Sequence, residues 1–263
     1  MLTKLLKYDL KYMIKNMSAF YILALLFSVL TRIFFSIDDS LIFYIIAQIC
    51  VGTLMSMLVS IIINTMLRSW VSFRDSVYKD ESYLTHTLPV TKTDIYNSKF
   101  VQALIFFIVG FIIIIISLFI AYYTEPRWLM LKDYISSITT GLDLSTGCFV
   151  TSILFIIFLE IFNAIQCGFF GIIAGHSKNN HKLLYSIIFG FLVYILAQVM
   201  VLGMMYVVAL FDEGLMQLFT SNVLSNIGSF KLLINLTVIL YIVIIVIMNF
   251  VCKKLFNKGV NVE

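Results

Sequence analysis

Between Leu104 and Ile120 the chain carries one glycine, one serine and otherwise only Leu, Ile, Phe and Val. A run this long exceeds an ordinary strand, and in lipid only helices and closed barrels satisfy every backbone polar group. Barrel strands alternate polar and apolar residues, and this run does not. At about −0.3 to −0.6 kcal/mol per such residue, insertion as a helix is favoured by several kcal/mol. The rest of the sequence is therefore read with lipid as the solvent.

Composition agrees. The 263 residues are 61% hydrophobic and 12% charged, with mean hydropathy +1.03, well outside the range of soluble domains. A span needs about 20 apolar residues. Six such stretches are expected, near 18–37, 41–66, 100–123, 149–174, 183–210 and 232–252. The expected fold class is an all-α polytopic membrane protein, a single transmembrane domain over residues 1–263, with six spans and no separate soluble domain. No cleavable signal peptide is evident, because Arg32 interrupts the first apolar run.

Charge sets the expected orientation. With the N-terminus inside, the cytoplasmic segments hold fourteen Lys and Arg residues, against Arg32, Arg127, Lys132 and Lys231 outside. That asymmetry places both termini in the cytoplasm. The net charge of +4 is gathered between apolar runs rather than in one patch, which argues against nucleic acid as a partner. Cys50, Cys148, Cys167 and Cys252 lack metal-ligand spacing and read as small hydrophobes, with Cys148 nearest an outer face.

Three segments outside the apolar runs carry pattern. Lys4, Lys7, Lys11 and Lys15 recur at helical spacing opposite Leu2, Leu5, Leu6, Leu10, Met13 and Met17, as in an N-terminal interfacial elbow helix with lysines toward headgroups. Trp128, Leu131, Ile135, Ile138 and Leu142 suggest a second interfacial helix. Residues 211–231 are too short and polar to span and are expected as dipping half-helices.

The connection over residues 67–99 is the most informative. Leu88-Pro89-Val90 must break a helix, and Thr91 with Asp94 forms a capping-box-like start for the next one. The expected course is a short helix, a sharp turn, then a helix rising into the third span. Such a block has the form of a docking surface; an ordinary cytoplasmic loop is the alternative.

Within the spans, Glu160 is the one deep acidic residue, and burying it costs a few kcal/mol unless it faces a cavity or a partner. Asn163 and Gln166 extend a polar stripe, and Ala164, Gly168, Gly171 and Gly175 permit close helix approach. Glu160 and Asn163 are thus candidates for a translocation path, against the alternative of a protonated, structural glutamic acid. Gln48, Asn64, Gln198 and Asn235 are expected to hydrogen-bond between helices, and Arg32 to snorkel or pair with Asp38 and Asp39. There is no GxxxxGK[ST], HExxH or GxSxG motif, and His86, His176 and His181 fall in connections. Neither catalysis nor a metal is expected.

Tyr83-Leu84, then Leu88-Pro89-Val90-Thr91-Lys92, then Lys99 at the base of the third span resembles the cytoplasmic coupling segment of ABC-2 type ABC exporter permeases. The amphipathic start and six spans are similar in layout. The resemblance implies a permease subunit that dimerises, as homodimer or heterodimer, and docks on a separate ABC ATPase subunit in two copies. ATP and Mg would bind that partner, with no cofactor on this chain. It places Ser82, Tyr83, Leu84, Leu88, Pro89 and Thr91 at the docking surface. Similar permeases export amphipathic peptides such as phenol-soluble modulins, give protection against lantibiotics, or export drugs and lipids, so antimicrobial resistance is an implied role. The Ile-, Lys- and Asn-rich composition resembles that of a low-GC Gram-positive bacterium, whose cell membrane would be the location. Two other readings stay open: an ion- or proton-coupled carrier using Glu160, and a non-transporting sensor or immunity protein.

Overall fold

The computed structural model describes residues 2–37, 41–79, 81–87, 89–141, 145–220 and 227–258. These residues form nine α-helices and no strand: α1 (Leu2–Phe35), α2 (Leu41–Tyr78), α3 (Ser82–Thr87), α4 (Lys92–Tyr122), α5 (Glu125–Gly141), α6 (Thr146–Gly175), α7 (Lys182–Ala209), α8 (Glu213–Thr220) and α9 (Ile227–Lys258). Six of them, α1, α2, α4, α6, α7 and α9, are long and apolar enough to cross a bilayer. The chain is a multi-pass helical membrane protein.

Two helices overrun their expected spans by more than ten residues at one end. The apolar stretch expected to end at Met66 continues as helix to Tyr78. At 1.5 Å per residue α2 is about 57 Å long, well beyond the roughly 30 Å hydrocarbon layer. Ser72, Arg74 and Asp75 leave lipid without leaving the helix, since none of them breaks one. At the N-terminus no break separates the expected elbow from the first span; Leu2–Phe35 is one helix of 34 residues. Its stripe is nonetheless as expected: Lys4, Lys7, Lys11 and Lys15 are exposed, whereas Met13 and Met17 are fully buried.

The described chain falls into two compact units, within Met1–Trp128 and Leu129–Asn261. In the first, α1, α2 and α4 pack on one another, and α3 rests on α2. Its core gathers Ala24, Leu54, Leu58, Ile61 and Ala121, with Met13, Met17 and Phe106 forming a second cluster nearer the α1 N-terminus. Arg32 donates to the carbonyls of Ile120, at 3.3 Å, and Tyr123, at 2.6 Å. It thereby satisfies orphan acceptors at the α4 C-terminus. Asp38 and Asp39, its expected partners, lie outside the described residues.

In the second unit α6 packs against α7 and α9. The expected small-residue stripe is used here. A methyl on Gly171 would stand 2.6 Å from the Gly190 nitrogen, and one on Gly175 would collide with the Ser186 backbone, so the α6 and α7 backbones meet almost directly. His176, expected in an open connection, is buried as the C-cap of α6, with Nδ1 2.8 Å from the Ile172 carbonyl and 3.3 Å from Ser186 Oγ. The turn closes at His181, whose φ of 52° lies in the left-handed region.

Residues 211–231 hold α8 and the start of α9. Asp212 caps α8 by accepting from the Leu215 amide at 2.9 Å, and it accepts from Ser229 Oγ at 2.6 Å. These bonds favour the ionised form and hold its carboxyl below the usual carboxylate range, Ser229 contributing most. α5 leaves Trp128, Met130, Leu131 and Tyr134 exposed, as an interfacial helix would; Leu142 lies outside the described residues.

Candidate functional site

Two groups of residues stand out, one in each unit. In the first unit, the segment between α2 and α4 follows the expected course: short helix, turn, capped helix. Thr91 adopts extended backbone, accepts from the Asp94 amide at 3.1 Å and donates to its carboxylate at 2.8 Å. This is the anticipated cap, and it commits the Thr91 hydroxyl locally. On α3, Ser82 and Thr85 are buried on one face, and the helix packs on α2. Ser82 had been expected on a docking surface. It is fully buried instead, because its i, i+3 face is the one that turns inward. The opposite face presents Tyr83 and Leu84, exposed to 75% and 73%, and Pro89 is exposed after the turn. Leu88 lies outside the described residues.

Directly beside this segment is a polar knot that the sequence reading missed. Lys99 on α4, 6% exposed, pairs with Asp9 on α1, 13% exposed, at 2.7 Å. Ser98 donates to the other Asp9 oxygen at 2.8 Å, Gln102 to the Asp9 carbonyl at 3.2 Å, and Lys99 also reaches Ser72 Oγ on α2 at 3.3 Å. The knot joins all three long helices at the end where α3 sits. A buried pair of this kind tolerates replacement of both partners far better than loss of one. Lys99 is one of the fourteen charges counted on the cytoplasmic side, and its partner was not anticipated. One signal was available: Asp9 lies on the apolar stripe, four residues from Leu5 and from Met13, where a lone carboxylate demands a partner.

In the second unit Glu160 lies midway along α6, half-buried. Tyr194 of α7 is within side-chain hydrogen-bonding reach of both Glu160 and Gln198. Tyr241 donates to Gln198 Oε1 at 3.1 Å, the interhelical bond expected of Gln198. Asn163 is fully buried; its Oδ1 accepts from Cys167 Sγ at 3.9 Å while its Nδ2 has no partner. Gln166, equally buried, leaves both side-chain polar atoms unpaired. The remaining amides differ from expectation. Asn64 bonds within its own helix, to the Ser60 carbonyl, Gln48 is exposed, and Asn235 lines an open groove between α6 and α9. A polar side chain can bond back to its own helix, as Asn64 does, so an amide's partner is not fixed by its place in a run.

Among the described residues no group of His, Cys, Asp and Glu could hold a metal ion. Cys50, Cys167 and Cys252 are buried and Cys148 is exposed, as their positions in the runs suggested. Comparison with family models, with curated proteins and with solved structures returns no match.

Proposed function

We propose that the chain is the membrane-spanning permease subunit of an ATP-driven exporter of the ABC-2 type, working with a separate ATPase subunit in a bacterial cell membrane. The observation that carries this reading is α3, a six-residue helix seated on α2 with Tyr83 and Leu84 turned outward beyond the lipid-length part of that helix. Two large apolar side chains exposed on a short, anchored helix are what a docking peg requires. The Asp9–Lys99 knot supports the reading further, since it ties α1, α2 and α4 together next to the peg. Two such subunits would pair, each docked on one ATPase copy, and ATP-driven closure of the ATPases would move α3 and with it the spans. Amphipathic peptides or other membrane-soluble toxic compounds suit a path walled by apolar helices, with the half-buried Glu160 as a polar position along it; Asn163, fully buried, does not line such a path here.

Co-purification with an ATPase from the same operon tests the assignment. Binding, together with ligand-dependent hydrolysis that Leu84→Asp abolishes, is the expected result; absence of both ends the reading. A gradient-driven carrier is the second reading, favoured by the half-buried Glu160 midway along α6 within hydrogen-bonding reach of Tyr194. It requires uptake into proteoliposomes without any ATPase, lost in Glu160→Gln.

A further inference from the structure

The first unit carries four lysines that it does not neutralise. Lys4, Lys7, Lys11 and Lys15 are exposed, and none has an ion pair or hydrogen bond among the described residues. Asp9, Asp75 and Asp94 are committed elsewhere, to Lys99, to Arg74 and to the α4 cap.

Helical geometry says what these lysines face. At 3.6 residues per turn, positions 4, 11, 15, 22, 26, 29 and 33 of α1 project within about 60° of one another, with Lys7 beside them. Ile22, Leu26, Val29 and Ile33 on that face are exposed, whereas Met13, Met17, Ala24 and Thr31 on the opposite side are fully buried. One face of α1 thus stays outside the packing of the unit along the whole helix. It is aliphatic where the helix crosses lipid and lysine beyond. A soluble partner meets only the lysine part of such a face. A phospholipid matches both parts, with acyl chains along the aliphatic stripe and phosphate at the lysines.

Depth follows from the helix being unbroken. Its apolar part, residues 18–35, is about 27 Å long, close to the roughly 30 Å hydrocarbon layer. Lys15 is therefore at headgroup depth, and Lys11 is about 6 Å farther along the axis, within reach of its four-carbon stem. Lys7 and Lys4 stand about 12 and 17 Å past Lys15, beyond a headgroup layer roughly 5–8 Å deep. The arm is not free to lie down and bring them closer. Asp9 is held by Lys99 at 2.7 Å and by Ser98 at 2.8 Å, and Met13 and Met17 pack with Phe106 of α4. Exposed Tyr12 sits between the depths of Lys11 and Lys15, where an amphipathic ring is favoured.

We propose that this face of α1 binds anionic phospholipid, with a phosphodiester headgroup held at Lys11 and Lys15 and its acyl chains along Ile22, Leu26 and Val29. The inference is independent of the permease reading, and its test needs no ATPase. The full chain is placed in phosphatidylcholine nanodiscs doped with phosphatidylglycerol that carries a diazirine near the top of one acyl chain, or with phosphatidylcholine carrying the same group. After illumination, labelled peptides are mapped by mass spectrometry. Labelling of the exposed residues around Lys15, such as Ile14 and Ile22, should be about fivefold or more higher from phosphatidylglycerol, since one lysine near a charged surface is worth about that factor. Lys11→Gln/Lys15→Gln should remove most of the excess, Lys4→Gln/Lys7→Gln should leave most of it, and Lys11→Arg/Lys15→Arg should keep it. All six side chains changed are exposed, so the packing of the unit is untouched. Equal labelling by the two lipids in wild type overturns the proposal, as does an excess that survives Lys11→Gln/Lys15→Gln. An excess of the same size along the exposed face of α7, which carries Lys182 alone, also overturns it by marking a general attraction of the membrane perimeter. Inorganic phosphate that suppresses the excess as well as unlabelled phosphatidylglycerol does would mark a free-phosphate site and overturn it too.

Discussion

Replacing Gly171 by alanine adds one methyl group where α6 meets α7. The new carbon would lie 2.6 Å from the Gly190 nitrogen and 2.7 Å from its Cα, and also against the Ser186 carbonyl. Ordinary contact begins at 3.4 Å, so the overlap is about 0.8 Å, and the atoms in the way are backbone. No rotamer relieves it; α7 has to move. Overpacking of this kind costs about 1–3 kcal/mol, offset by at most about 1 kcal/mol of helix propensity gained on leaving glycine. Since Gly→Ala elsewhere on a helix gains the same propensity, Gly171→Ala should fall about 1–3 kcal/mol below such a control. Gly203 on α7 supplies the control, since a methyl there has nothing within 4 Å. Gly203→Ala should be neutral or slightly stabilising. Unfolding by SDS in mixed micelles, followed by far-UV circular dichroism, reads both variants against wild type. If Gly171→Ala proves as stable as Gly203→Ala, the two backbones are not in contact and the account of this hairpin is wrong.

Other consequences follow from the same packing. Asp9→Asn leaves Lys99 buried without its counter-charge and should cost about 3–5 kcal/mol in the same unfolding assay, while the double variant Asp9→Leu/Lys99→Met should recover most of it. Recovery of less than half would mean that the Ser98 bond to the Asp9 carboxylate, not the pair, holds the knot. Asp212 has a folded-state pKa below its ordinary value of 3.8, so its contribution is complete above that value and is lost as pH falls through the lowered one. The stability gap between wild type and Asp212→Ala should thus stay constant from neutral pH to about 4 and close below it; a gap that closes nearer neutrality would refute the capping role. Tyr83→Ala with Leu84→Asp should abolish stimulation of a partner ATPase and leave membrane insertion and SDS stability unchanged, because both side chains are exposed. A loss of stability in that pair would show that α3 supports the fold rather than a partner.

Hydropathy read the spans well because lipid imposes one requirement on every residue of a crossing helix, and that requirement is local. It could not read where α2 stops. Ser72, Arg74 and Asp75 are incompatible with lipid but not with helix, so the apolar run and the helix end at different places. The α3 turn and the Thr91 cap were legible for the same reason as the spans: proline geometry and capping are decided within four residues. The site partners were not. Tyr194 and Tyr241 look like ordinary aromatics in apolar runs, and only helix packing brings Tyr194 to Glu160 and Tyr241 to Gln198. The burial of Lys99 was not legible either, because its partner Asp9 lies some ninety positions earlier in the chain.

An unbroken α2 has a mechanical corollary. No proline interrupts Leu41–Tyr78, and its i to i−4 bonds run from one end to the other, so the helix bends only gently under load. With α3 resting on its far end, a sideways push at Tyr83 is not absorbed where it lands. It is returned as torque at the fulcrum, where Lys99 clasps Ser72 and Asp9, and everything beyond that clasp swings the opposite way.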